Sequence, residues 1–226
     1  MTDLAPGMRI LDVGCGRGEL LLHTSERGAL SYGLDYAKDA VLIARDTLRK
    51  ATVVPNSVLE LQQANARRLP YASETFERVF LLDIVEHLHP VELREVLVDI
   101  HRVLKRGGKA IVHTMPNLWY YRFGYPIYRF VEYLRGKLLP ADPRERWLYH
   151  EVHVNEQTPL SLRRSLRDAG FSVRVRLIPA QTYSQESNPS IRTGMILLSH
   201  LYPFRWVFCN DIFAIATRPI ESESRE

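Results

Sequence analysis

Short apolar runs alternate with stretches in which apolar residues recur every three or four positions, and the alternation persists through the first two-thirds of the chain. A continuous apolar run suits a strand covered on both faces, whereas a 3.6-residue period marks a helix with one buried stripe. Strands are therefore predicted at 9–13, 30–35, 58–62, 78–82, 109–114, 171–178 and 208–217, and helices at 19–27, 38–50, 90–104 and 158–169. In the helix at 38–50, Val41, Leu42 and Leu48 are expected to face inward. Gly28, the pair Gly107-Gly108, and Gly170 stand just past three of the helices, and Pro90 stands at the start of one. Those are the positions where each residue type costs least. Strands alternating with helices imply an α/β sheet.

Two stretches depart from this pattern. Connections at 117–150 and 179–207 are long for a compact fold, and long connections tend to be lids or binding loops. The first opens with Leu118-Trp119-Tyr120-Tyr121-Arg122-Phe123-Gly124-Tyr125, then places Ile127, Phe130, Val131, Leu134 and Leu138 on one helical face. Arg129, Glu132, Arg135 and Lys137 lie off that stripe. The favoured reading is a lid over a substrate site, with the stripe packed on the sheet. The alternative is an interfacial helix meeting lipid or a lipid-linked substrate. The second connection has a polar part at 181–190 and an apolar part at 195–208, the latter with Ile196, Leu197, Leu198, Leu201, Tyr202, Phe204 and Trp206. Peripheral membrane contact through 118–138 or 195–208 is thus one expectation, and a role as nucleic-acid stacking platform is disfavoured because no other feature of such a module is present.

Composition narrows the picture a little. At 226 residues the chain suits one domain with a full core, and the formal charge of +4 is too mild to argue for nucleic acid. Cys15 and Cys209 offer neither a disulfide framework nor zinc spacing. The first seven residues carry no charged-then-apolar leader, and no stretch of about 20 apolar residues spans the chain. A cytoplasmic setting is expected.

The sharpest chemical signal follows the first strand. Gly14-Cys15-Gly16-Arg17-Gly18 places three alternate glycines between a strand and a helix, with Asp12 two residues ahead. Such a turn lets backbone approach a ligand, and the following helix offers unpaired N–H groups. Dinucleotide enzymes use G-x-G-x-x-G, so the spacing here separates the chain from them. Asp35 ends the next strand, where it can accept from ribose hydroxyls. The competing reading of Asp12 and Asp35 as turn caps is less favoured in this company.

These residues resemble the class I S-adenosylmethionine-dependent methyltransferases. The matching segments are 10–20, Gly33-Leu34-Asp35, Asn65-Ala66-Arg67-Arg68-Leu69-Pro70-Tyr71, 76–87, and Val103-Leu104-Lys105-Arg106-Gly107-Gly108-Lys109. The resemblance implies a Rossmann-like seven-stranded sheet, mostly parallel with the last strand antiparallel, and helices on both faces. It implies S-adenosylmethionine as cofactor, bound by Asp12, Gly14, Cys15, Gly16, Asp35, Tyr36, Asn65, Ala66 and Leu82. Asp12 would take the amino group and Asp35 the ribose. Asn65 stands where the family usually has Asp, and Glu77 replaces another Asp in what should be a neutral change.

For proton removal the candidates are Glu86, His87 and His153. The run Asp83-x-x-Glu86-His87 with the later His153 is also similar to a metal-binding pattern of ubiquinone-pathway and small-RNA O-methyltransferases. Asp83, Glu86, His87 and His153 are therefore an alternative ligand set for Mg²⁺ or Mn²⁺. The resemblance favours O-methylation of a small, glycan or lipid-linked acceptor. The rivals are a nucleotide-dependent oxidoreductase and a non-catalytic cofactor-binding partner protein.

Overall fold

The structure is a computed structural model, and it describes residues 3–51, 57, 59–146, 153–179 and 188–220. Its elements run β1 (Arg9–Val13), α1 (Glu19–Ser25), β2 (Leu30–Asp35), α2 (Lys38–Lys50), β3 (Leu59–Gln63), β4 (Phe76–Leu82), α3 (Pro90–Val103) and β5 (Leu104–Thr114). They continue with α4 (Tyr125–Leu134), α5 (Pro159–Asp168), β6 (Ser172–Ile178), α6 (Pro189–His200), α7 (Arg205–Phe208) and β7 (Asp211–Thr217). The seven strands form one sheet in the order β3-β2-β1-β4-β5-β7-β6. β1 to β5 pair in parallel, while β7 runs antiparallel to both β5 and β6. The order reverses between β1 and β4, and the carboxyl ends on either side of that reversal are where an open α/β sheet binds ligands.

The core explains the sheet. α3 buries Leu93, Val96, Leu97, Ile100 and Val103, the spacing that its sequence foretold, in one cluster with Val79, Leu81, Ala110 and Val112. α1 lies close on β2 because residue 33 is glycine: a Cβ there would stand 2.5 Å from Leu21 Cδ1. Glu77 does more than the neutral change expected of it. Its carboxylate accepts from the Arg9 amide at 2.7 Å and pairs with Lys105, tying the start of β1 to β4 and β5.

Several element bounds differ from expectation. Phe208 closes α7 rather than opening a strand, since a short apolar run fits either period until its partners are known. The fifth strand begins at Leu104, not 109: Gly107, at φ +73°, turns the chain within the strand, and the pairing with β4 shifts register between Phe76 and Arg78. β4 likewise starts earlier, at Phe76. On α2, Leu42 is exposed and Ala44 takes the inward position beside Val41 and Leu48. Val58, 147–150, 180–187 and 221–226 lie outside the described residues.

The insertions hold the largest departure. A π-helical turn (Tyr120–Gly124) leads into α4, whose buried residues are Tyr125 and Glu132. The apolar stripe expected to pack on the sheet faces outward instead, with Phe130 at 60 % and Leu134 at 69 % exposure. Glu132 can be buried because Arg135 and Lys137 both neutralise it. Asn117, fully buried, joins the two insertions: its Nδ2 donates to the carbonyls of Trp206 and Cys209, both at 2.9 Å, and its Oδ1 accepts from the Trp119 amide. Nothing in the sequence pattern singled out this residue. Among the described residues no helix is long and apolar enough to cross a membrane.

Candidate functional site

The glycine turn sits at the carboxyl end of β1, against that of β2. Gly14 and Cys15 both donate to the Leu34 carbonyl at 2.9 Å, which fixes the turn to the neighbouring strand. Gly16 adopts φ +48°, and a Cβ built on it would meet nothing within 4 Å, so the turn borders open space. At Gly14 a Cβ would stand 3.0 Å from Ile84 Cδ1. Asp35 braces the mouth of this space: one oxygen accepts from Gly16 at 3.0 Å and the other from Ala37 at 2.9 Å. The turn-capping role weighed against a ligand role is thus real, yet each carboxylate oxygen keeps a lone pair for a further donor.

Asp12 is buried, and no described side chain or amide donates to its carboxylate. Burial pushes its pKa up to about 7, and the charge of Asp35 adds to that. A buried acid without a partner is poised for a cation. Cys15 faces the other way, its thiol pushed up to about 12 by burial and then by Asp12 and Asp35. Its side chain packs with Leu21 and Leu48, which leaves only its backbone at the turn. Tyr36 is largely exposed beyond β2. Asn65 is exposed and closes its own turn, its Oδ1 accepting from Arg67 at 2.9 Å, while Ala66 beside it is buried. Leu82 is half-buried at the end of β4, packed on the cluster of Ile10, Phe80 and Ile111.

Beyond β4 the chain forms a single 3-10 turn (Val85–His87). The carbonyl of Glu86 accepts from Val154 at 2.9 Å and Asn155 at 3.0 Å, which suspends the segment after 153 from this turn. The His87 and His153 rings consequently meet edge to face, 5.0 Å apart. One ligand atom from each of Glu86, His87 and His153 lies within 4.8 Å of the others. Burial, then the nearby His87, lowers the pKa of His153. Burial raises that of Glu86, although the Thr114 hydroxyl donates to it at 2.6 Å. Arg144 stacks on Tyr121 and pairs with Glu156, 2.6 Å away, so the first insertion is pinned beside His153.

Asp83 does not join this group. It sits at φ +55°, a conformation Asp tolerates better than most residues, and its carboxylate lies 2.6 Å from His113 Nδ1. Asp211 meets the other ring nitrogen at 3.3 Å. The four-residue ligand set is corrected to three, because the left-handed turn at Asp83 aims its side chain across to β5. Burial alone would lower the His113 pKa, but the carboxylates of Asp211 and Asp83 outweigh it and hold it at about 9. The Asp83–His113–Asp211 group was invisible in sequence, since its members are 30 and 98 positions apart.

A pKa raised from 6.5 to about 9 means that protonated His113 stabilises the fold. That stabilisation is complete below pH 6.5 and is lost as pH rises through about 9. We expect the melting temperature to fall over this window, by an amount equivalent to at most about 3 kcal/mol and less to the extent that the half-exposed Asp83 is screened. His113→Ala should flatten the profile; an unchanged slope would show that the charge resides elsewhere.

A family model described as "Methyltransferase domain" matches residues 11–112. Over that stretch, a little under half of the chain, the protein is similar to methyltransferase domains. It is 30 % identical over 105 residues to an uncharacterized methyltransferase of Synechocystis sp., covering 46 % of each chain. It is 27 % identical over 177 residues to a demethylmenaquinone methyltransferase of Alkalihalophilus pseudofirmus, covering 74 % of this chain and 71 % of that one. The matched stretch thus spans about half of the first relative. In fold it is similar to an S-adenosylmethionine-dependent methyltransferase from Methanosarcina mazei, with a TM-score of 0.63 and 19 % identity over 96 % of this chain and 95 % of that one. The oxidoreductase alternative finds no support in these likenesses.

Proposed function

We propose that this protein transfers a methyl group from S-adenosylmethionine to a hydroxyl on a small or lipid-linked acceptor. The observation that carries the cofactor half is the open glycine turn flanked by a partnerless buried Asp12 and a braced Asp35. Asp12 would hold the cationic amino group, and Asp35 the ribose hydroxyls. The backbone of Gly14, Cys15 and Gly16 would lie along the methionine part. Tyr36, Asn65, Ala66 and Leu82 would frame the adenine. When bound, S-adenosylmethionine supplies an electrophilic methyl group. The chain's own work is then to align the acceptor oxygen and remove its proton.

His153 is the preferred base, because burial and His87 keep it neutral near pH 7. A wide-open apolar depression of about 610 Å³ lined by Trp119, Phe123, Leu160, Tyr202, Trp206 and Val207, among others, supports an acceptor with an apolar body. Two relatives are named demethylmenaquinone methyltransferase, which supports an acceptor with an apolar body. A second reading follows from the convergence of Glu86, His87 and His153: a divalent cation there would activate the hydroxyl directly. Two imidazoles and one carboxylate suit Mn²⁺ better than Mg²⁺.

Calorimetry with S-adenosylhomocysteine tests the cofactor assignment. Asp35→Ala removes charged acceptors worth about 1.5–3 kcal/mol per hydrogen bond, so affinity should fall at least about tenfold. Unchanged affinity would remove Asp35 from the site. Incubation with S-adenosylmethionine and a panel of hydroxylated lipids, read by intact product mass, tests the acceptor. Cofactor binding without any product across that panel would favour the non-catalytic alternative.

A further inference from the structure

α4 is built inside out. Its buried side chains include a glutamate, while Phe123, Ile127, Phe130 and Leu134, three or four positions apart, are all about half exposed or more. Leu138, just beyond the helix, is 86 % exposed. Exposing such a stripe to water is unfavourable at about 25 cal/mol per Å², so a chain that could bury it internally would do so. Here the opposite face is the one tied down: Tyr125 donates to the Pro140 carbonyl, and Gly124 packs so closely that a Cβ would lie 2.6 Å from the Val207 carbonyl. That contact places the start of α4 against α7. Phe123 shares a cavity wall with Tyr202 and Phe204, and so the exposed apolar surface continues from α4 onto the α6–α7 corner, where Leu201 and Tyr202 are also exposed.

The charges around this surface have one sign. Between 116 and 139 the chain has Arg122, Arg129, Arg135 and Lys137 against a single acid, Glu132, which is buried and paired. Between 188 and 209 it has Arg192 and Arg205 and no acid. Arg122, Arg129 and Lys137 are exposed. An apolar stripe rich in aromatics, rimmed by cations and with no exposed acid among the described residues of 116–139 and 188–209, complements an anionic lipid surface. Dimerisation of a like-charged, arginine-rimmed patch would instead bring the cations of two copies together.

We propose that the α4 stripe and the α6–α7 corner form a docking face for an anionic lipid bilayer. Phe130, Leu134 and Leu138 enter the interfacial layer, Arg122 and Arg129 meet the headgroups, and the cavity walled by Phe123 and Tyr202 lies at the edge of the docked face. None of the docking residues belongs to the cofactor turn or the His87–His153 pair. Docking is therefore read without cofactor or turnover, and its failure would leave the methyl-transfer reading standing.

The test is flotation with vesicles of phosphatidylcholine alone and of phosphatidylcholine with about one-third phosphatidylglycerol. The protein should bind the anionic vesicles at least about tenfold more tightly, and added salt should weaken that binding. The double variant Phe130→Ser with Leu134→Ser should lose at least about tenfold in vesicle affinity while keeping its affinity for S-adenosylhomocysteine, which shows that it is folded. Arg122→Gln should weaken binding to anionic vesicles only. No binding to anionic vesicles, or equal binding by the double variant, would overturn the proposal. So would a dimer in vesicle-free sedimentation that the same double variant dissolves, because the stripe would then belong to a second copy.

Discussion

His153→Ala is expected to lower turnover by roughly 10²–10⁴-fold with little change in cofactor affinity, the loss that follows removal of a general base. The argument rests on placement. Two amide hydrogen bonds to the Glu86 carbonyl hang the segment after residue 153 beside the turn that carries His87. Burial and His87 then depress the His153 pKa below its ordinary 6.5, so the ring is neutral and able to accept a proton at pH 7. The acid limb of the rate profile should therefore lie below pH 6.5. His87→Ala removes the ring whose electrostatic influence helps to lower the His153 pKa and should move that limb upward in pH. A metal at the same three residues behaves differently: chelator would abolish activity in the wild type and Mn²⁺ would restore it. Full activity in chelator together with full activity of both histidine variants would exclude base and metal alike, leaving positioning as the source of catalysis.

Asp12→Asn should do two opposite things at once. It should weaken binding of S-adenosylmethionine sharply, since the neutral amide can still accept from the amino group but no longer carries the charge that pairs with it, and it should make the cofactor-free protein more stable. The second effect follows from the raised pKa. An acid that titrates at about 7 when folded, against 3.8 when unfolded, holds its proton more tightly in the fold. Ionising it therefore destabilises the fold, with no cost below pH 3.8, a growing cost up to pH 7 and the full cost above. The variant should exceed the wild type in melting temperature above pH 7 by an amount on the order of 2–4 kcal/mol, and the two should converge toward pH 4. Wild-type affinity for the cofactor should also weaken as pH falls below 7, by up to about tenfold per unit, because binding then requires a proton to leave Asp12. Equal stability of the two proteins at pH 8 would mean that Asp12 finds a partner in solution. Stored strain of this kind at a binding site is what a trade-off between stability and function looks like in one residue.

The sheet and the cofactor turn were legible in the sequence because both depend on local rules. β1, α3 and the glycine turn are written in runs of adjacent residues: an apolar run broken only by Asp12, a 3.6-residue stripe, and alternate glycines that only a tight backbone turn needs. Asp12 and Asp35 could be named because each lies at a fixed offset from such a run. Their states could not. The pKa of Asp12 depends on its burial in β1, between β2 and β4, and on the charge of Asp35, which are properties of the packed sheet.

What the tertiary structure alone decided lies between distant segments. Asp83 follows one strand and looked like a neighbour of Glu86 and His87, but its left-handed backbone sends it to His113 and Asp211. His153 joins His87 only because the Glu86 carbonyl captures two amides from another part of the chain. α4 shows the limit most clearly. Its periodicity correctly announced an amphipathic helix, yet periodicity says only that one face differs from the other. Which face turns inward was settled by Gly124 against Val207, Tyr125 on Pro140 and a glutamate neutralised by Arg135 and Lys137. Those contacts fix the orientation of a short helix through its anchors at either end, and hydrophobic preference along its own length cannot override them.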